Sequence, residues 1–594
     1  MEADKKQQTG YPSIDKPWNK FFTEAELNAP LPKMTLYQIL WRNNGEHPND
    51  TAILYYGRKI SYGELFREID LCAMALKNAG IQKGDCVTLC TSSTPESIIV
   101  ALSCNKIGVL ANFINPLFTT EQMADRINET GSVLLFVLDR VYERVEDALD
   151  KTCIQKVVVM PIYESMPRHL KLLVSMQKRD SKLSSAMKQD GKYLTWQKFL
   201  RHGEGKTDSE YRKLEEPYQP NTPAVMVYSS GSTGASKGIV LSNDGINATL
   251  SNYNDTDFPY NRGDTFLQMV PIFASTGFVL SIMMPLLLGI TVIPEPVFSK
   301  ETFVKDMARY RPSMTLGSTT MWRYAAQCSE LKKTDLSGMT YPIIGGESIR
   351  PQDKKEIIDF LRTHGCTAPL AIGYGMCELG STVTASTSRY FGKDGGAGLP
   401  LLHARAAAFD VDTDQELKYY QRGEIRVDSP ARMYGYYKNP KATDEYFFTD
   451  ESGIKWGKTG DIGYIDEDGE VFILGRASDS FVSAGGDIVY NFDAEAVILQ
   501  DDRVTACKVL GIPTEAGMLP VAHIQLRKDC SDSFVSIISK IDEQCRDKLP
   551  PYSVPVAYKQ REFFPVHPNA KLDLQSLREE RNGFVDASGK QYSF

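Results

Sequence analysis

The chain lacks several things at once. Histidine is scarce, with seven in 594 residues. The eleven cysteines have no ligand-like spacing; Cys86 and Cys90 are the closest pair, and nothing nearby completes a metal site with them. Free thiols in a reducing cytosol are therefore expected, with a cytoplasmic location. Positive charge is not in excess: 67 Lys and Arg against 75 Asp and Glu leave a net charge of −8. That excludes general attraction to nucleic acid or to an anionic bilayer. The longest apolar run, Phe278 to Pro294, is broken by Ser281, Pro285 and Gly289 and reads as core rather than as a membrane span. The opening stretch, MEADKKQQTGYPSIDKPW, has no apolar centre and so does not read as a signal peptide. What is left has the composition of an ordinary globular protein, long enough for more than one domain.

Against that background one stretch stands out, YSSGSTGASKG from Tyr228 to Gly238. Five hydroxyls (Ser229, Ser230, Ser232, Thr233, Ser236) and two glycines (Gly231, Gly234) precede Lys237. The apolar residues Ala224 to Tyr228 before it and Ile239 to Leu241 after it read as two strands joined by this loop. Glycines let backbone N–H groups approach a ligand, hydroxyls donate further hydrogen bonds, and the lysine adds charge. Such a concavity suits the phosphates of a nucleotide. It is not a P-loop, which has Gly-Lys followed by Ser or Thr at the start of a helix. A flexible Ser/Gly linker of similar composition would have no reason to sit between two apolar strands.

Along the chain, helical and extended patterns alternate. Residues 1 to about 30 read as a polar arm. Helices are expected at Leu36–Arg42, Ser61–Ala79 and Glu96–Ile107, and strands at Ala52–Tyr56, Cys86–Leu89, Val133–Val137 and Val157–Val159. Tyr163 to Gly191, rich in Lys, Arg, Ser and Met, reads as a less regular insertion. Beyond the loop the pattern predicts helices at Asn243–Tyr253, Phe278–Leu288 and Glu301–Tyr310, with strands at Thr265–Val270, Thr291–Pro294 and Met314–Leu316. This βαβ rhythm implies parallel sheets covered by helices. Short strands and turns fill Gly395 to Val427, the expected small barrel-like part. A boundary is expected after the hairpin-like Gly469–Leu474, dividing the chain into 1–475 and an α+β module at 476–594.

Further polar residues sit in apolar settings. Tyr341–Ile344 leads into Gly345-Gly346-Glu347-Ser348, and Ala371–Gly373 into Tyr374-Gly375-Met376-Cys377-Glu378. WGKTGDIGY is centred on Asp461, GRASDSFVSAGG runs from Gly475 to Gly486, and FPVHPNAKLD is centred on Lys571. Singly these are ordinary: Glu347 could cap a helix and Asp461 could hold a turn. In this order and at these separations the set resembles the adenylate-forming superfamily of acyl- and aryl-CoA synthetases, peptide-synthetase adenylation domains and beetle luciferases. The resemblance runs from about Thr35 to Leu577 and is strongest to the fatty-acyl-CoA ligases.

The resemblance implies two half-reactions: a carboxylate attacks the α-phosphorus of Mg·ATP to give acyl-AMP and pyrophosphate, then a thiol, usually of coenzyme A, takes the acyl group. Ser229, Ser230, Gly231, Ser232, Thr233, Gly234 and Lys237 would hold phosphates, with Ser229 and Glu378 at Mg²⁺. Gly346, Glu347, Tyr374, Gly375 and Cys377 would line the adenine side, and Asp461 with Arg476 the ribose. Lys571 would bridge carboxylate and phosphate oxygens. The small C-terminal domain would swing about Ser478, and Gly485 and Gly486 would shape the pantetheine channel. A carboxylate needs no general base at neutral pH, so catalysis would be positioning and charge neutralisation, in keeping with the scarcity of histidine. Five residues depart from the family's usual pattern: Ser236 for proline, Asn243 for histidine, Cys377 for threonine, Ser478 for Asp or Lys, and Ala570 for glycine. None removes an obligatory charge.

The stretch Pro271 to Gly277 matches the family's acyl-pocket segment, with Phe273, Ala274, Thr276 and Gly277, joined by Gly373, as expected lining. Amino-acid-activating relatives carry an aspartate at the position of Ala274 to pair with an ammonium; alanine points to an acid without an α-amino group. A medium- or long-chain fatty acid is the favoured substrate, with aromatic acids open. Two other readings stay open: loading of a separate carrier protein, for which Tyr163–Gly191 would be a basic docking face, and a non-catalytic nucleotide- or acyl-binding relative. No nucleic-acid partner and no transmembrane segment are expected; a homodimer and peripheral membrane contact are compatible with the sequence.

Overall fold

The computed structural model describes residues 8–594 apart from 176–182, 184–190, 230–235, 348, 516, 566–571 and 593. It is a mixed α/β protein with two large sheets, a smaller antiparallel sheet and a separate C-terminal part. The first sheet has eight strands in the order Gly435–Tyr436, Gly238–Ser242, Pro223–Tyr228, Leu110–Ile114, Cys86–Cys90, Leu134–Leu138, Lys156–Met160, Tyr193–Thr195. From Pro223–Tyr228 onward every neighbour is parallel, whereas Gly238–Ser242 turns back antiparallel on Pro223–Tyr228. The Gly-rich loop is thus the connection of a hairpin, as its flanking apolar residues imply.

The second sheet has nine strands. Its centre runs Ala371–Tyr374, Tyr341–Gly345, Met314–Gly317, Thr265–Gln268, Thr291–Pro294 and Thr51–Tyr55, all parallel to their neighbours. Parallel strands need covered faces, and one helix packed on Leu110–Ile114 and Pro223–Tyr228 of the first sheet has no wet side. All 12 residues of Pro95–Lys106 are buried, and its middle, residues 98–102, is apolar on every side as a fully buried helix requires. Its last residue, Lys106, is 1% exposed and donates to the Tyr37 hydroxyl at 3.0 Å and to the Asp70 carboxylate. A buried ammonium persists only when paired in this way.

Three expectations change. The apolar stretch Phe278–Leu288 is helical but not uniformly: Ser275–Phe278 is α, Val279–Met283 is π and Met284–Leu288 is α again. Pro285 has no N–H to give the Ser281 carbonyl, and the widened turn accommodates that loss. The insertion 163–191 includes a helix at Arg168–Ser175 among its described residues. The barrel-like part is an open five-stranded antiparallel sheet. Its long strand Lys455–Ile465 takes Phe447–Thr449 and Val471–Arg476 end to end, while Arg405–Phe409 pairs only with Gly423–Asp428 among the named strands, so no ladder closes it.

The strand Val471–Arg476 leads into the C-terminal part, which has a five-stranded sheet built on Val504–Thr514, Gly517–Leu526 and Ala557–Arg561. Helices Asn491–Ile498 and Phe534–Lys548 cover it through Val497, Ile538 and Ile541. Among the described residues no helix is long and apolar enough to cross a membrane.

His523, on Gly517–Leu526, is fully buried, and its Nδ1 accepts from Arg561 Nε at 3.2 Å. Burial, then the Arg561 charge, pushes the imidazole down to about 3. The unfolded chain binds a proton below about 6.5 that the folded chain refuses, so stability is full above that pH and falls as pH falls. Between about pH 7.5 and about pH 5, His523→Gln should reduce the loss of unfolding free energy by about 2 kcal/mol relative to wild type. Urea titrations of both proteins at the two pH values check this; equal losses would remove His523 from the account.

Candidate active site

The C-terminal ends of the parallel strands carry the polar residues, which is where open α/β sheets present their ligand sites. At the first sheet the hairpin loop is clamped at its base. Ser229 N–H donates to the Lys237 carbonyl at 3.1 Å, Lys237 N–H to Ser229 Oγ at 3.2 Å, and Ser236 Oγ to the Ser229 carbonyl at 2.6 Å. Ser236, which stands where proline is usual, thus replaces a stiff ring with a hydrogen bond. Ser230, Gly231, Ser232, Thr233 and Gly234 lie outside the described residues.

Lys237 Nζ sits 4.8 Å above the Tyr436 ring, and the Tyr436 hydroxyl donates to Glu378 Oε1 at 3.0 Å. Tyr436 therefore brings the loop lysine and the glutamate to two sides of one ring. It comes from the two-residue strand Gly435–Tyr436, too short to leave any periodic signal in the sequence. Glu378 itself lies on the turn Cys377–Leu379, which Gly380 ends at φ 78°. A side chain at Gly375 is forbidden: its Cβ would lie 2.0 Å from the Ser381 carbonyl oxygen. Cys377 is half-buried; Ser275 Oγ donates to its Sγ at 3.0 Å, and burial raises the thiol.

At the second sheet the Tyr374 hydroxyl donates to Asp461 Oδ2 at 2.5 Å, and Arg476 Nε meets Asp461 Oδ1 at 3.0 Å. Burial pushes the Asp461 carboxyl up while Arg476 and the tyrosine hydroxyl pull it back. Gly346 adopts φ 79°, a glycine conformation, and Glu347 reaches over to accept the N–H and hydroxyl of Thr320, both at 2.9 Å. It so satisfies a free N–H in the first turn of the helix Thr319–Gln327.

Beside Gly346, Glu347 and Tyr374 opens a cavity of about 320 Å³, whose wall does not include Lys237, Cys377, Glu378, Asp461 or Arg476. Gly346, Glu347, Tyr374 and Gly375 line one part; Leu280, Met284, Ile343 and Ala371 line another. Of the expected acyl-side residues, Thr276 and Gly373 line it, whereas Phe273, Ala274 and Gly277 are not part of its wall. Gly373 leaves open space, its imaginary Cβ meeting nothing nearer than the Thr384 carbonyl at 3.9 Å; Gly277 does not, with Pro271 O at 1.9 Å. Ser381 Oγ donates to Thr276 Oγ1 at 3.1 Å and fixes that wall. Ser478 lies exposed in the turn after Val471–Arg476. Gly485 and Gly486 form the exposed tip of the hairpin Ser480–Val482/Ile488–Tyr490, outside the cavity wall. Lys571 and Ala570 lie outside the described residues. Asn243 is no part of the cavity; its Oδ1 accepts from Leu36 N–H at 3.0 Å and Asn105 Nδ2 at 2.8 Å, a buried structural junction.

The AMP-binding enzyme family model matches residues 40–437, and the chain belongs to that family. A long-chain-fatty-acid–CoA ligase of Bacillus subtilis (strain 168) is 24% identical over 568 residues, covering 95% of this chain and 98% of that protein. A probable 4-coumarate–CoA ligase 1 of Dictyostelium discoideum is 26% identical over 518 residues, covering 86% and 89%. Among solved structures, the anthranilate CoA ligase AuaEII in complex with anthranoyl-AMP has TM-score 0.75 at 20% identity, covering 93% of this chain and 98% of that one. The protein is an adenylate-forming enzyme that resembles the acyl-CoA ligases.

Asp461 is 3% exposed, and a hydrogen bond to a buried carboxylate contributes about 1.5–3 kcal/mol. Tyr374→Phe should lower the unfolding free energy by about that amount; a denaturant midpoint unchanged from wild type would show that water replaces the hydroxyl.

Proposed function

We propose that the protein activates an apolar carboxylic acid as its acyl-adenylate and transfers the acyl group to coenzyme A. The observation that carries this reading is the cavity, which passes from the Gly346–Tyr374 side into a wall of Leu280, Met284 and Ile343 with Glu347 as its one charged side chain among the described residues. An α-ammonium buried there would have no nearby carboxylate beyond the one engaged with Thr320, a costly placement. An acid with a hydrocarbon or aromatic tail fits the wall. The names of the relatives, which span fatty and aromatic acids, are consistent with that breadth.

In the first step an ionised carboxylate oxygen bonds to the α-phosphorus of ATP, and the bond from that phosphorus to the pyrophosphate oxygen breaks. No proton moves, so the residues need only hold and neutralise charge. Lys237, steadied on Tyr436, is set to meet phosphate oxygens beside the hairpin loop. Magnesium fits: at nucleotide sites it takes one or two protein carboxylates and completes its shell with phosphates and water. The Glu378 carboxylate, with the Tyr436 hydroxyl as its hydrogen-bond partner, would hold it. Bound magnesium supplies further neutralisation of the phosphates. Asp461 would exchange the Tyr374 hydroxyl for ribose hydroxyls, with Arg476 beside it, and Lys571 would bridge the two reacting oxygens. In the second step coenzyme A, its thiol proton released to solvent, bonds through sulfur to the acyl carbon, and the bond from that carbon to the phosphate oxygen breaks, so that AMP leaves with the electron pair. The C-terminal part would turn about Ser478 to exchange Lys571 for the hairpin bearing Gly485 and Gly486.

The deciding experiment is acid-dependent pyrophosphate release from ATP over fatty, aromatic and amino acids, each with and without coenzyme A. Turnover with an apolar acid only when coenzyme A is present is expected; a single burst that coenzyme A does not extend would move the acceptor role to a carrier protein. Lys571→Ala should reduce adenylation about 10²–10³-fold, the loss seen when one transition-state donor is removed. It should leave conversion of supplied acyl-AMP to the thioester near the wild-type rate. Equal loss of both half-reactions would contradict the role given to Lys571.

A further inference from the structure

Two tyrosines stand in the wall of the cavity beside its apolar residues. Tyr253, from the helix Asn243–Asn254, and Tyr341, the first residue of the strand Tyr341–Gly345, both line it. The same two rings, with Ala385, also line a second void of about 30 Å³. They are a shared wall between two spaces. Phe258 braces the wall, its ring 5.0 Å from Tyr253 and 4.7 Å from Tyr341, edge-on to both. The Tyr341 hydroxyl donates to the Ser386 carbonyl at 3.3 Å, and the Tyr253 hydroxyl bonds the Thr382 side chain. Both rings therefore have their polar ends satisfied and present hydrocarbon to the cavity.

The void behind them is closed differently. Phe22 and Arg389 are part of its wall. Arg389 pairs with Glu26 at 2.8 Å and with Asp257 at 2.8 Å. One side of the wall is thus an apolar chamber and the other a small space under surface ion pairs. Position along the strand gives the scale. Tyr341 starts the strand and Gly345 ends it beside Gly346; four residues at about 3.3 Å each set the two ends about 13 Å apart.

The geometry points to Tyr253 and Tyr341 as the length limit of the acyl site, which makes medium-chain acids the preferred aliphatic substrates. This rests on the reading of the cavity as the acyl site. A chain whose carboxylate lies beside Gly373 and Tyr374 runs toward Tyr341 and stops against the two rings. A longer chain has to displace a braced aromatic ring. Removing the Tyr253 ring joins the chamber to the void behind it and lets additional methylenes be buried.

The test is kcat/KM for straight-chain acids from butyrate to palmitate with wild type, Tyr253→Ala and Tyr253→Phe. For wild type, each methylene up to the limit should raise kcat/KM up to about fourfold, followed by a fall. Tyr253→Ala should move the maximum at least two methylenes longer and raise kcat/KM for the longest acids more than about tenfold. Tyr253→Phe keeps the ring and should keep the wild-type profile, which separates the wall from the hydroxyl's bond to Thr382. If Tyr253→Ala does not fold, Tyr341→Leu opens the same wall and should shift the maximum in the same direction. A maximum that stays in place in folded variants, or wild-type use of palmitate equal to that of decanoate, overturns the length limit alone. No pyrophosphate release from wild type with any acid overturns the acyl-adenylate reading beneath it.

Discussion

One buried carboxylate, Asp461, holds three parts of the molecule in register. It lies on the long strand Lys455–Ile465 of the small antiparallel sheet. Its Tyr374 partner ends a strand of the nine-stranded sheet, and its Arg476 partner is the last residue of the strand that leads to the C-terminal part. The same strand takes Phe447–Thr449 along one half and Val471–Arg476 along the other. A carboxylate buried to this degree is unfavourable unless its oxygens are bonded, so the three pieces are held within hydrogen-bonding distance of it. The ligand-facing ends of the strands inherit that placement.

The rest of the site is shaped by where side chains are missing. Gly375 and Gly277 lack them because backbone carbonyls occupy the space, at 2.0 Å and 1.9 Å from an added Cβ. Gly373 is different, since an added Cβ would contact no atom closer than 3.9 Å. Its missing side chain leaves cavity rather than permitting close packing. Glycine thus serves two unlike ends within three residues, at Gly373 and Gly375. A substitution at Gly373 would change what the cavity admits, whereas one at Gly375 would change the path of the loop that carries Glu378.

The sequence made legible the elements whose burial is continuous and whose residues are all of one kind. Thr291–Pro294 is a strand in the bounds its apolar run predicts. Leu110–Ile114 escaped notice, because Asn112 interrupts its apolar character. The structure shows why asparagine is tolerated there: its Nδ2 donates to Thr88 Oγ1 at 3.1 Å and its Oδ1 accepts from Tyr228 at 3.0 Å. Both partners lie on neighbouring strands far away in sequence. The site divides the same way. Glu378, Asp461 and Lys237 stand in stretches unusual enough to be found by reading. Tyr436 and Tyr253 do not, for an isolated tyrosine beside ordinary residues acquires its place only when distant elements pack.

The departures from the family pattern then separate by mechanism. A reaction that needs no general base depends on charges and on the distances between them, so uncharged positions around it can drift if the distances survive. Ser236 keeps the loop base closed with a 2.6 Å hydrogen bond to the Ser229 carbonyl. Cys377 keeps a contact to Ser275 at 3.0 Å, which holds the turn bearing Glu378 against the start of the helix Ser275–Phe278. Asn243, in place of histidine, accepts two hydrogen bonds in the interior, a duty that needs an acceptor and no proton transfer. In each case the substituted residue meets a geometric need with a neutral group. On the proposed reading the charged residues Lys237, Glu378, Asp461 and Arg476 have less latitude, because a neutral side chain can ligate a metal ion or bond a phosphate but cannot offset the charge of either.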